Sequence, residues 1–289
     1  MTTYRHASGL PEGYRHDDDG ALAAVKGSTI YDAAPIRRAI LDGTRINLSY
    51  CTIAGLDLDG CDLRNLTAIQ TRFAGVSLSG ATLDGAVCNN ARFDQCSARG
   101  SSWINASLSG ASLGGCDLRE ARLDGIGFVR GNANRANLRG ANLSRSKLGF
   151  AQLSAVDAIG ADFAGAQMPY TKLRFSVCSF ANFDGAKVIQ ADATGARLDH
   201  VSLRGSLWEQ VRLDAIESSG TNFGDAATPP VQGEIARPWV DTTLWGTRAQ
   251  AMAVPDPFAD QDWRNALLER DLGTPFRDLL EPRRLGRAR

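Results

Sequence analysis

One kind of residue returns at every fifth position from Leu48 to Phe223, and the phase never slips. The interval contains 36 consecutive pentads over residues 46–225, whose middle residue is Leu in 17, Phe in six and Trp in two. A fixed short period over such a length defines a solenoid, and it excludes a helical reading, because an apolar face on a helix repeats about every 3.6 residues.

The register divides each pentad into an inside and an outside. Two residues before each centre the side chains are small, as at Ala81, Ala86, Ala91 and Ala106. Residues two apart in an extended chain point the same way, so the small residue and the centre share a face. All 34 charged residues of 46–225 occupy the other three positions. Charges are rarely buried unpaired, which turns the charge-free pair inward and the rest toward water. Two residues after the centre the chain prefers Gly, as at Gly55, Gly60 and Gly75. Each pentad is therefore a short extended side followed by a corner. Bulky centres recur every twentieth residue from Leu63 but also every fifteenth from Leu48, so spacing alone leaves three or four sides open.

The segments ANLRG (136–140), ANLSR (141–145), ADFAG (161–165), ANFDG (181–185), ATLDG (81–85) and ASLSG (106–110) resemble the pentapeptide-repeat family, whose unit is approximately A-(D/N)-L-x-x. The resemblance implies an all-β solenoid: a right-handed, four-sided parallel β-helix with four pentads per coil and about nine coils. At strand-pairing spacing that is a rod of about 40 Å. Some members of the family bind DNA gyrase and protect it from quinolones or peptide toxins, with rods that resemble duplex DNA in size and negative charge. This rod departs from that pattern. It holds 17 basic and 17 acidic residues, its middle is basic, and no loop interrupts its coils.

Three regions follow: residues 1–45, the repeat at 46–225, and residues 226–289. Residues 1–30 have no period and read as a loose or draped lead-in. Tyr31–Leu41 reads as a short helix capped by Asp32, with Ile36, Ile40 and Leu41 forming an apolar stripe that covers the first coil. After Asp225 the period stops, and seven of the ten Pro lie beyond it. Residues 234–246 are irregular, and Phe258–Leu272 reads as an amphipathic helix with Trp263, Ala266 and Leu267 on one side, with a further turn expected after Pro275. This region is either a C-terminal cap or a dimerisation arm, the latter a device some family members use.

The chemistry-bearing residues point away from catalysis. All six Cys take inward positions, where a free thiol behaves as a small hydrophobe, so we expect free thiols and no metal or cofactor. The three His have no metal-ligand spacing, the Gly are corners rather than a phosphate loop, and the carboxylates face solvent. A filled interior has no substrate chamber, so no enzyme is expected. Zero net charge gives no footprint for direct nucleic-acid binding, no apolar run reaches membrane-spanning length, and the polar first residues do not form a signal peptide. Cytoplasmic residence is the expectation.

What remains is surface. Residues 96–150 hold eight basic against three acidic residues, and on a four-sided coil Arg99, Arg119 and Arg139 stack as a strip suited to an acidic partner unless neighbours such as Asp117 pair with it. At four corners the usual Gly is replaced by Phe150, Tyr170, Phe175 and Phe180. Exposed aromatics of this kind mark an interface, self-association included, or are covered by another segment of the chain. The expected function is a non-enzymatic scaffold that contacts another protein through the rod. The alternative from the resemblance is a partner of DNA gyrase or another type II topoisomerase. The partner itself is not written in the sequence.

Overall fold

The computed structural model describes residues 10–64, 66–221 and 226. The pentad Ala81–Gly85 shows how the repeat is built. Ala81 and Leu83 are fully buried, while Thr82 and Asp84 alternate outward. The Leu83 N–H donates to the Ser102 carbonyl at 2.6 Å, and the Ser102 N–H donates back to the Ala81 carbonyl at 2.9 Å. Both bonds reach the neighbouring coil. The Ala86 N–H then returns to the Leu83 carbonyl at 3.0 Å and closes a four-residue turn. Gly85, the third residue of that turn, has φ +68°, the left-handed value that such turns favour in glycine.

Parallel bridges join residues twenty apart along the rod, from Asp57↔Ser77 to Arg197↔Glu217. Twenty residues are four pentads, so each coil has four sides, which settles the question that spacing left open. Longer ladders form on parts of two sides. One runs β5 (Thr52–Ala54), β7 (Arg72–Ala74) and β8 (Arg92–Asp94), and the other joins β9 (Lys187–Ile189) to β10 (Leu207–Glu209).

The interior is one continuous apolar column. Phe73 and Phe93 stack at 4.5 Å, and Trp103 meets Phe93 edge-on. Phe163, Phe183 and Trp208 repeat that arrangement farther along. The indole N–H of Trp103 donates to the Ser101 hydroxyl at 2.7 Å, and Trp208 does the same to Ser206 at 3.1 Å. The small inward position is thus where a tryptophan finds its obligatory acceptor.

Residues 10–30 are not a loose lead-in. β1 (Tyr14–His16) and β2 (Leu22–Ala24) form an antiparallel hairpin, and β2 adds in parallel to β4 (Ile46–Asn47), which pairs with β6 (Leu66–Thr67). β3 (Thr29–Ile30) adds likewise to β5. This is an incomplete first coil with a 24-residue offset between Leu22 and Ile46, so it carries no period-five signal. Tyr14, Leu22 and Ile30 are buried on the core, and the Tyr14 hydroxyl donates to the Asp32 carbonyl at 2.6 Å.

The expected helix is α1 (Ala34–Leu41). Its N-cap is Ala33, and Asp32 instead accepts the Ala34 N–H at 2.9 Å from one residue farther out. Its buried face is Pro35, Ile36 and Ala39, with Ile40 partly covered. Leu41 does not join that stripe: it is 82% exposed, because it faces away from the coil end. The terminal elements expected over 226–289, and the centre at Phe223, lie outside the described residues apart from Ala226. Among the described residues no helix is long and apolar enough to cross a membrane.

Candidate interaction surface

Every described corner from Tyr50 to Gly220 is left-handed, and eighteen of those residues are not glycine. A bulky residue there is a conformational outlier, with a cost of about 1–3 kcal/mol. The aromatic corners are therefore held in costly backbone, and their surroundings differ sharply.

Phe150 (φ +58°) and Tyr170 (φ +57°) occupy adjacent coils of one edge. They stack at 4.7 Å and 11° and remain about half exposed. Arg130, one coil earlier on the same edge, sits 5.9 Å above the Phe150 ring. Beyond Tyr170 the edge continues as Gln190, whose amide donates to the Gln210 carbonyl oxygen at 2.5 Å. The result is a ladder of planar groups running along one corner of the rod.

Phe180 lies ten residues from Tyr170, on the diagonally opposite edge, so it does not extend that ladder. It is 63% exposed and stacks on His200 at 5.0 Å. Phe175 is not an exposed aromatic at all, being only 3% exposed. Its ring lies over Gly195 on the next coil, where an added Cβ would fall 2.5 Å from the ring, and the Arg174 guanidinium covers it from 5.4 Å.

The arginine strip is not a row of bare charge. Arg99 reaches Glu120 at 2.9 Å, Arg119 grips both carboxylate oxygens of Asp117 at 2.8 and 2.6 Å, and Arg139 binds Asp157 at 2.6 Å. The Arg119 hydrogen bonds hold the Asp117 carboxyl below its ordinary value. Nor are all rod carboxylates solvated: Asp124 and Asp157 are buried, and each meets an arginine, Arg145 and Arg139 respectively. They sit at outward positions but are roofed by those longer side chains.

Between the aromatic edge and the edge that bears Arg135 and Phe175 lies one flat side of the rod. It contains an open groove of about 580 Å³ lined by Gly114, Asn134, Arg135, Ser154, Lys172 and Arg174 among others. The absence of side chains at Gly114 and Gly115 opens one end. Asn134 is fixed there by the Ser154 N–H at 2.8 Å and by Gln152 at 3.3 Å. Nothing in the period-five reading signalled this groove, because it depends on which small residues coincide in neighbouring coils.

The six thiols are all free and buried. Burial pushes Cys51, Cys88 and Cys116 up to about 12 and Cys96 and Cys178 up to about 11, so none is a thiolate nucleophile near neutral pH. Cys116 and Cys96, twenty residues apart, are both free, and the Cys116 thiol donates to the Phe93 carbonyl at 3.1 Å.

This geometry defines a β-solenoid repeat protein whose distinctive chemistry is on its outside. The sequence profile for Pentapeptide repeats matches eight copies over residues 66–97, 86–125, 136–174 and 176–207, and the chain belongs to the pentapeptide-repeat family. No curated protein matches it in sequence. Among solved structures it is similar to HetL, a pentapeptide repeat protein involved in heterocyst differentiation regulation from the cyanobacterium Nostoc sp. Strain PCC 7120. Identity is 24%, covering 69% of this chain and 98% of that one, with a TM-score of 0.38. It is also similar to QnrB1, a plasmid-mediated fluoroquinolone resistance protein, at 17% identity over 62% of this chain and 92% of that one, TM-score 0.36. A pentapeptide repeat protein from the Arabidopsis thaliana thylakoid lumen is 26% identical over 52% of this chain and 70% of that one, TM-score 0.14. Such scores carry no argument about this chain's role.

Proposed function

We propose that this protein is a non-catalytic scaffold that holds another protein against the outside of its rod, with the Arg130–Phe150–Tyr170 edge at the centre of the contact. The observation behind this reading is the pair of half-exposed, stacked rings at left-handed corners, where glycine would cost less. Large aromatics and arginine are the side chains that carry most binding energy in protein interfaces. The interior gives no competing reading, since it is filled with apolar side chains and protonated thiols. A topoisomerase is not favoured as the partner. A surface that imitates DNA needs a negative field, and this rod has 17 residues of each sign over 46–225.

The test is affinity capture with the full chain, compared with a Phe150→Gly/Tyr170→Gly variant. A partner recovered by the wild type and lost from the variant supports the reading. Equal recovery removes it. Gyrase supercoiling with and without a quinolone, in the presence of the protein, tests the topoisomerase alternative directly.

A further inference from the structure

The twenty-residue register sorts the rod surface into two halves of opposite character. On one half, four stacked double sides cover residues 106–115, 126–135, 146–155 and 166–175. They contain Arg130, Arg135, Lys147, Lys172 and Arg174 and no carboxylate, a charge of +5. The other half of the same four coils covers residues 116–125, 136–145, 156–165 and 176–185. It holds six acidic residues and four arginines, or −2. On the second half Asp117, Glu120, Asp124 and Asp157 each meet an arginine. On the first half Arg174 lies 3.7 Å from Asp192 of a coil beyond it.

The Phe150–Tyr170 edge is the line where the two sides of the basic half meet, and the groove at Arg135, Lys172 and Arg174 lies beside it. Five cations on three successive coils span roughly 10 Å along the axis, close to the screening length in physiological salt, so their fields add. The aromatic rings sharpen the choice of ligand. Each ring gives one face to the other, and Arg130 takes the second face of Phe150. That leaves a nucleobase at most the outer face of Tyr170, one stacking position rather than the run of them on which single strands are held. What the rings present outward is their electropositive rim, which suits a carboxylate or an aliphatic side chain.

We infer that the basic half of the rod binds an acidic, extended protein segment, laid in the groove with its carboxylates on Arg135, Lys172 and Arg174 and an apolar side chain against the Phe150–Tyr170 rims. This rests on the scaffold reading above and names the chemistry of its partner. An open groove on a flat sheet side accommodates a strand-like segment, and among the described residues none that lines it is acidic.

The experiment uses the full chain and three fluorescein-labelled ligands: a short polyglutamate peptide with one central phenylalanine, the same peptide with lysine for every glutamate, and a short oligothymidine. The glutamate peptide is expected to bind, to weaken as salt rises, and to lose about ten-fold or more in affinity with Arg135→Glu/Lys172→Glu. Lys147→Glu, on the adjoining side and away from the groove, is expected to weaken it by less. Both variants alter exposed side chains, and unchanged circular dichroism and melting show that they fold. Equal binding of the two peptides, tighter binding of oligothymidine, or unchanged affinity in the double variant overturns the inference. Retention of a captured partner by the double variant, with its loss from Phe150→Gly/Tyr170→Gly, also overturns it and leaves the scaffold standing. Retention by both removes the scaffold reading beneath it.

Discussion

At the scale of the residue, two energies compete at the aromatic corners. A left-handed backbone costs a bulky side chain about 1–3 kcal/mol, whereas a stacked aromatic pair contributes about 0.5–1.5 kcal/mol. The fold therefore gains little from Phe150 beyond what glycine would give. Phe150→Gly is expected to keep stability within about 1 kcal/mol in urea unfolding while it weakens partner capture, and a loss well above that would make the ring a structural residue. Gly131 shows the opposite balance. It fills the small inward position in front of Ala133, and a Cβ there would stand 2.4 Å from the Phe128 ring. Gly131→Ala should lower stability by about 1–3 kcal/mol through overpacking, read as an earlier urea midpoint at unchanged slope. Glycine as a corner was legible from position alone. Glycine as space for a phenylalanine was not, and neither was the burial of Phe175, because each depends on a ring and a gap that only the folded coils bring together.

At the scale of the element, the legible parts were those that repeat. Corners, inward pairs and free thiols follow from a period of five, and α1 followed from Pro35 and the spacing of Ile36 and Ile40. β1, β2 and β3 did not, since a partial coil with its own offset has no neighbours in sequence that resemble it. Their work is nonetheless specific. β2 and β3 occupy the edges that β4 and β5 would otherwise present, and the β1–β2 hairpin ends the stack with an antiparallel partner. α1 then closes the apolar column with Ile36, which has no exposed surface. Ile36→Ala is expected to cost about 2–5 kcal/mol by opening a cavity at the end of the rod. The accompanying sign is a shift toward larger species in light scattering as the terminal coil loosens. A variant that melts and scatters like the wild type would show that the cap does not rely on α1.

At the scale of the whole molecule, most backbone bonds of the rod join one coil to the next, so the dry interior is a single shared property of the stack. The six thiols report on that interior. Their ordinary value is 9.0, and burial raises all of them, to about 12 at Cys51, Cys88 and Cys116. A group raised in the folded state holds its proton where the unfolded chain has lost it. Its contribution is complete below the unfolded value and is lost as pH climbs toward the folded one. Stability should therefore be flat in pH on this account up to about 9 and fall between about 9 and 12, with thiolates appearing only on unfolding. A thiol reagent at pH 8 should find no reactive cysteine in the native protein and six after denaturation. The same chain with the buried Cys88 and Cys178 replaced by alanine should lose part of the alkaline slope, though it will be less stable at neutral pH because of the cavities. Rapid native labelling, or an alkaline slope that ignores these replacements, would mean that the column is wet. A wet column would also undo the electrostatic sorting of the surface, because charge is confined to the outside, and divided between its two halves, only while the inside excludes water.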